Sequence, residues 1–330
     1  MVSSFLRYRL YAGALAANTM LRRVVSGRGP LIVGPWYGEV GHEVLHWIPF
    51  LRWVQERFFL DSSRICAISR GGVASWYRGI ADQYADTFDF ISLEKFRAYD
   101  RARPLRRQMR RGEMDDLVLA AAARKLGWDG FRVLHPSLMH RIFLPFWKNY
   151  SSWRTLKRHT KFERFPDTER DFAALGIPKE YVVVKFYQSD CFRMTPESQE
   201  RIAGIVRRIA EHIPVVTLDL GFKVDDHAGF LVGGGKDIIT LPGVFSIRDN
   251  LEMQAAIVSR SRVFFGTYGG FSYIAPFYGV PSVGFYTEKT GFAQNHLSTA
   301  NRVFAGPGFG AFVALPLHGL EDLTPIFHAL

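Results

Sequence analysis

Cysteine is scarce in this chain: Cys66 and Cys191 are the two among 330 residues, and neither has a CxxC or CxxH partner. Such spacing excludes a disulfide framework and a zinc finger or ribbon, and a reduced cytoplasmic setting fits best. Long apolar runs are also missing, since no uninterrupted stretch approaches the ~20 residues that cross a bilayer. No short-period repeat is visible, and no RRM, KH, zinc-finger or helix-turn-helix signature. Acidic residues are in short supply. Asp and Glu total 31 against 42 Lys and Arg, a net charge of +11 that predicts an anionic partner: nucleic acid, phospholipid head groups or a phosphorylated small molecule.

What is present describes a folded α/β chain. Hydrophobic residues make up 48% and aromatics 15%, enough apolar surface for a large core with wide clefts. At this length two lobes are expected. From Leu31 the pattern reads strand, Gly-rich loop, helix (Val44 to Arg57), strand (Arg64 to Ser69), helix (Ser75 to Tyr84) and strand (Phe88 to Ser92). Such βαβαβ order implies a parallel sheet with helices on its faces. Asp115 to Leu126 reads as helix and Phe131 to Leu134 as extended, whereas the aromatic stretch from Pro136 to Arg164 has no clear assignment.

A second alternation starts at Tyr181: strand YVVVKFY, helix from Pro196 to His212, strands VVTLDL and DIITL, helix near Ile247 to Ser259, strand RVFFG, a short helix, and strand SVGFYT. Two such blocks predict two Rossmann-like domains, with the boundary in the polar, proline-containing stretch from Thr160 to Pro178. The expected division is 1–30, an N-terminal amphipathic segment; 31–165, the first Rossmann-like domain; and 166–330, the second.

Two segments are strongly basic. MVSSFLRYRLYAGALAANTMLRR superficially resembles a signal peptide, but its apolar stretch from Leu10 to Ala17 is short and Ala-rich. As a helix it suits lying on a membrane surface or docking onto the protein. Lys95 to Arg111 carries Arg101, Arg103, Arg106, Arg107, Arg110 and Arg111, either as a solvated face or as a contact with an anionic membrane surface.

Candidate chemistry collects at strand ends. VGPWYGEVGHEVLHWIPFLRWV leads from a strand through two glycines to Glu39, His42 and Glu43 before a helix. A carboxylate here is a candidate general base, while Glu43 reads equally as a first-turn residue complementing the helix dipole. For His42 and His46 a structural hydrogen-bonding role is the alternative. In the second lobe Lys185, Ser189 and Arg193 follow the first strand, and Thr195-Pro196 opens the next helix. Arg suits bidentate phosphate contact and Lys acts as a point charge. Thr267, Tyr268, Gly269, Gly270, Phe271 and Ser272 form a glycine turn at a strand's carboxyl end, where open α/β sheets bind ligands. The bland alternatives are a simple tight turn and ordinary loop residues. Glu288 and His296, in segments that follow, are further candidates to line the same pocket, and Asp219 to read a ribose hydroxyl.

These features together resemble the GT-B glycosyltransferases, and within them the lipopolysaccharide heptosyltransferase type. The resemblance rests on Gly38-Glu39-Val40 leading to Trp47-Ile48-Pro49-Phe50-Leu51, on Ser189, Arg193 and Thr195-Pro196, and on Gly269-Gly270, Ala275 and Gly279-Val280-Pro281. Thr267-Tyr268 stands where that family usually has an acidic residue, and Glu39 where Asp is common. It implies two facing Rossmann-like domains with a deep interdomain cleft, the first binding acceptor and the second a nucleotide sugar. It also implies sugar transfer to a glycan or lipid-linked acceptor, without metal or cofactor, inverting with Glu39 as base. A cytoplasmic location follows, open to peripheral attachment at the inner membrane, with no nucleic acid expected. Other readings are a nucleotide-sugar epimerase or hydrolase on the same fold, a basic nucleic-acid-binding protein, and an inactive GT-B binding module.

Overall fold

A computed structural model of the chain describes residues 2–102, 108–168, 170, 172–218, 229–230, 232, 235–241, 243, 245–289, 291–292 and 294–318. It divides into two compact units, Met1–Glu163 and Arg164–Leu330. Each is a parallel α/β unit.

The first unit is built on strands β1 (Leu31–Val33), β2 (Ile65–Ser69), β3 (Gln83–Asp86) and β4 (Arg132–Leu134), in the order β3-β2-β1-β4 and all parallel. Their buried Leu, Ile and Val residues form a continuous run rather than an alternating one, as expected of a sheet covered on both faces. The chain winds from β1 outward through β2 to β3, then returns to the other side of β1 for β4. The winding therefore reverses between β1 and β4.

Two local expectations in this unit are corrected. The stretch expected as a helix from Ser75 to Tyr84 is a 3-10 turn at Ala74–Tyr77, and the strand expected at 88–92 is β3, with a 3-10 turn at Thr87–Asp89 after it. Gly79 at φ 79° ends the helical path early. Asp86 then caps the turn beyond β3 by accepting from the Phe88 N–H (2.9 Å), and also accepts from the Gly72 N–H (2.8 Å). The unassigned aromatic stretch is helical over Pro136–Trp147 and Trp153–Lys157, the first capped by His135 Nδ1 accepting from the Ser137 N–H at 3.1 Å. The N-terminal helix, Val2–Val25, packs on Pro136–Trp147. Ala17, Leu21 and Val25 are buried, and the Tyr11 hydroxyl donates to the Tyr150 carbonyl at 2.7 Å.

The second unit contains β5 (Val182–Tyr187), β6 (Val215–Thr217), β7 (Gly229–Phe230), β8 (Ile238–Thr240), β9 (Phe264–Thr267), β10 (Ser282–Tyr286) and β11 (Phe312–Pro316). The parallel order is β11-β10-β9-β5-β6-β8, with β7 antiparallel to the end of β5. From β5 the chain builds outward to β6 and β8, then crosses back to β9 and builds the other way. The reversal lies between β5 and β9. Helix Pro196–Ala210 begins at Thr195, whose hydroxyl accepts from the Ser198 N–H at 3.2 Å, and its face of Ile202, Ile205, Val206 and Ile209 is buried. Those residues join Val182, Val184, Phe186 and Phe285 in one core cluster. Among the described residues no helix is long and apolar enough to cross a membrane.

Candidate functional site

In the first unit the loop after β1 is held on all sides by backbone bonds. The Gly34 N–H donates to the Leu134 carbonyl (3.0 Å) and the Trp36 N–H to that of Ile68 (2.9 Å), so the loop lies across the carboxyl ends of β4 and β2. Gly34 has φ 117°, and a Cβ there would meet the Ile68 carbonyl oxygen, so only glycine suits the position. Arg70 Nη2 donates to the Gly38 carbonyl at 3.0 Å. The buried Gln108 amide, with its oxygen toward the loop, accepts from the N–H groups of Tyr37 (2.8 Å) and Gly38 (3.2 Å).

This loop delivers Glu39 to the start of a helical stretch that is α over Val40–His42, π over Glu43–Trp47 and α over Ile48–Arg57. Glu39 is exposed and extended. One turn on, the Glu43 N–H donates to the Glu39 carbonyl at 3.1 Å, but the Glu43 side chain turns inward and is 0% exposed. Its Oε1 accepts from the hydroxyls of Ser69 (2.5 Å) and Tyr77 (2.6 Å), and its Oε2 has no hydrogen-bond partner among the described residues. The π-helical segment matters here, because single π turns collect at functional sites. Burial pushes the Glu43 carboxyl up to about 7, against the Ser69 and Tyr77 hydrogen bonds and the Arg70 charge, which pull it down. Burial likewise lifts Asp86 to about 6.

Three histidines pack around an aromatic cluster nearby. His42 lies against His46 (ring centroids 5.6 Å apart) and Trp147 (6.2 Å), while Trp36 stacks between Trp47 (5.8 Å) and His140 (6.4 Å). Burial lowers all three imidazoles, His140 to about 3, and the Glu39 charge partly offsets the effect on His42. They are neutral at physiological pH, and a neutral ring beside Glu39 can accept a hydrogen bond.

The Glu43 acid makes stability depend on pH with a definite sign. Its folded-state proton affinity is raised above the ordinary carboxyl value of 4.5 to about 7, so the folded protein keeps a proton that the unfolded chain releases. This favours the folded state fully below pH 4.5 and is lost as pH rises through about 7. Glu43→Gln cannot titrate. Its stability relative to wild type is expected to improve by roughly 2 to 3 kcal/mol between pH 5 and pH 8, at about 1.4 kcal/mol per tenfold change in proton affinity. Denaturant titration at the two pH values reads this, and a pH-independent difference would show that Glu43 is ionised in the fold.

In the second unit the expected residues assemble at the reversal between β5 and β9. Lys185, on β5, directs its ammonium to the Leu218 carbonyl (2.8 Å) and Gln254 Oε1 (2.9 Å), and lies over the Phe271 ring at 4.5 Å. Thr267, fully buried, stitches the two strands together. Its hydroxyl donates to the Tyr187 carbonyl (2.8 Å) and accepts from the Tyr187 N–H (2.9 Å). Tyr268 is buried, stacks on Phe292 at 4.5 Å and accepts from the Tyr273 hydroxyl at 3.0 Å. Ser272 is equally enclosed and closes the turn, accepting from the Gly269 N–H (3.1 Å) and donating to the Gly269 carbonyl (2.8 Å).

The helix expected to open near Gly270 is a 3-10 turn, Phe271–Tyr273, followed by one α turn, Ile274–Phe277. A helix so short has little macrodipole. Any anion here must rely on side-chain charge, with Gly269, Gly270 and Phe271 supplying partly exposed surface.

Ser189 and Phe192 exchange backbone hydrogen bonds (3.1 and 3.0 Å), which folds the loop after β5 back on itself. The segment after β10 docks on it: the N–H groups of Thr287 and Glu288 donate to the Cys191 carbonyl (2.9 and 3.2 Å), and Arg193 Nε pairs with Glu288 at 2.7 Å. Two candidates from distant segments thereby form one ion pair. His296 is half-buried in the helix Gln294–Phe304.

Asp219, Arg103, Arg106 and Arg107 lie outside the described residues. Arg101, Arg110 and Arg111 are exposed, and Arg111 pairs with Asp116 at 2.5 Å. Ser69, Arg70, Tyr77, Asp86 and Gln108 are the groups that sequence reasoning missed. They come from four separate segments, and no spacing in the chain joins them to Glu43. Among the described residues no cluster of three or more His, Cys, Asp or Glu is arranged to hold a metal ion.

No protein-family model and no curated protein matches the chain. Solved structures with a similar fold include the glycosyl transferase family 9 protein from Veillonella parvula, 14% identical with a TM-score of 0.47, covering 87% of this chain and 86% of that one. The ADP-heptose lps heptosyltransferase II of E. coli is 13% identical with a TM-score of 0.48, covering 92% and 96%. The UDP-GlcNAc 2-epimerase from Methanocaldococcus jannaschii is 10% identical with a TM-score of 0.40, covering 91% and 90%. Likeness at this level leaves the reaction to be argued from the chain's own residues.

Proposed function

We propose that the chain is a glycosyltransferase, moving a sugar from a nucleotide-activated donor to a glycan or glycolipid acceptor without a metal ion. One observation carries the reading: a cation is fixed at the point where the winding of the second sheet reverses, the place where open α/β sheets take ligands. A carbonyl, an amide oxygen and a ring face orient the Lys185 ammonium at this point. A diphosphate suits such a point charge. Arg193 adds a planar fork for phosphate oxygens and Ser189 a hydroxyl.

In the first unit Glu39 is the proton acceptor. It is the exposed carboxylate at the equivalent reversal, beside a neutral His42. The acceptor hydroxyl gives its proton to Glu39 as its oxygen bonds to the anomeric carbon, the bond from that carbon to the diphosphate breaks, and the nucleoside diphosphate leaves with the electron pair. Configuration inverts. Glu43, enclosed beneath, braces the turn that presents Glu39. The function belongs to surface-glycan assembly on the cytoplasmic side.

Lys185→Met tests the observation. It is expected to weaken binding of nucleoside diphosphate sugars at least tenfold, about 1.4 kcal/mol, with Lys185→Arg retaining more affinity than Met. Titration calorimetry reads the affinity and thermal melting confirms the fold. Equal affinity in all three proteins would remove Lys185 from the donor site. Incubating each donor without acceptor separates transfer from epimerisation, because an epimerase converts the donor alone.

A further inference from the structure

The N-terminal helix has two apolar sides, and the fold uses one. Ala17, Leu21 and Val25 face the protein and are buried. Phe5, Tyr8 and Leu15 form a stripe along another side, 64%, 72% and 71% exposed, with Tyr11 at its edge, 40% exposed and hydrogen-bonded to the Tyr150 carbonyl. Exposed large apolar side chains are normal singly, but a contiguous set on one element marks an interaction surface. Six of the ten large exposed hydrophobic residues in the described chain lie on this helix, Leu6 and Met20 among them though off the stripe.

Charge identifies the occupant. The first 38 residues contain five arginines, Arg7, Arg9, Arg22, Arg23 and Arg28, and no Asp or Glu. All five are exposed. Arg7 sits over the Tyr11 ring at 5.8 Å and Arg9 over that of Phe5 at 5.8 Å, so cationic heads and aromatic faces occur together at one surface. A second copy of the chain would bring arginine against arginine with no carboxylate to answer it. An anionic bilayer offers both requirements at once, headgroup phosphates for the guanidinium groups and an acyl boundary for Leu15 and the rings.

We infer that the helix Val2–Val25 is a docked interfacial anchor that seats the first unit on an anionic lipid surface through Phe5, Tyr8 and Leu15. The basic stretch from Lys95 to Arg111 is not required for this. The anchor stands independently of the glycosyl-transfer reading; resting on that reading, it would hold the acceptor-binding unit beside a lipid-linked acceptor.

Sedimentation of the full chain with vesicles tests it. Vesicles of phosphatidylcholine with a quarter phosphatidylglycerol are expected to bind the wild type at least tenfold better than phosphatidylcholine alone. The double variant Tyr8→Asp, Leu15→Asp changes only exposed positions and should lose that binding with an unchanged melting temperature. Arg22→Ala, Arg23→Ala should lower binding to anionic vesicles and make the remaining binding less sensitive to salt. Three results would overturn the inference: equal binding by wild type and Tyr8→Asp, Leu15→Asp; self-association of the wild type in solution that this variant abolishes; or RNA or DNA binding that this variant abolishes while vesicles are ignored. Donor titration is unaffected by any of these outcomes, so failure of the anchor is distinguishable from failure of the proposed reaction.

Discussion

Glu39→Gln is expected to lower sugar transfer by about 10²- to 10⁴-fold, the usual contribution of a positioned general base, with donor affinity and melting temperature unchanged. The substitution keeps size and polarity at an exposed position and removes only the capacity to take a proton. Release of nucleoside diphosphate in the presence of an acceptor extract measures it. Two companions sharpen the result. Glu43→Gln should keep most activity, because its carboxyl is fully enclosed and cannot touch an acceptor, while shifting the pH dependence of stability. His42→Asn should lower activity less than Glu39→Gln, since the neutral ring only supports its neighbour. If Glu43→Gln abolishes transfer and Glu39→Gln does not, the base is the buried acid and the turn must open to expose it.

The second large effect is on the fold. Gly266 sits in β9 between β5 and β10, and a Cβ there would lie 2.2 Å from the Lys185 carbonyl oxygen and 2.8 Å from the Phe264 ring. Backbone must move to admit it. Gly266→Ala is therefore expected to destabilise the second unit by at least about 3 kcal/mol, the upper range for overpacking, and to weaken donor binding by displacing Lys185. Gly204→Ala is the control: it lies exposed in helix Pro196–Ala210 with nothing within 4 Å of the new methyl. That change should stabilise by about 0.5 to 1 kcal/mol. Denaturant unfolding of both variants reads the difference, and a neutral Gly266→Ala would mean that β9 is looser than described.

The parallel α/β character of both halves was legible in the sequence because buried parallel strands write themselves as runs such as Val182-Val183-Val184 and Phe264-Phe265. The region after β2 was not. There Tyr77 and Tyr84 turn inward beside Glu43 and Asp86, and this tertiary demand overrides the helical spacing of the stretch. Around the candidate site, the cluster at Lys185 and Gly269 could be read because glycines and cations at strand ends are local signals. Ser69, Tyr77 and Gln108 could not, being ordinary polar residues whose meaning arises only when separate segments meet at Glu43 and the Gly38 loop. Thr267 and Ser272 show the converse. They were expected at a ligand, and their hydroxyls are spent on holding strand and turn together.

The central claim is that the carboxyl edge of the second sheet binds a nucleoside diphosphate sugar. Isothermal titration of the intact chain with a panel of these compounds, each alone and in the absence of added metal, addresses it most directly. At least one is predicted to bind with a dissociation constant of about 1 μM to 1 mM, the working range of enzymes for their substrates, and to do so more tightly than the corresponding free sugar. Heat signals no greater than those of the free sugars across the whole panel, from protein that melts cooperatively, would contradict the account.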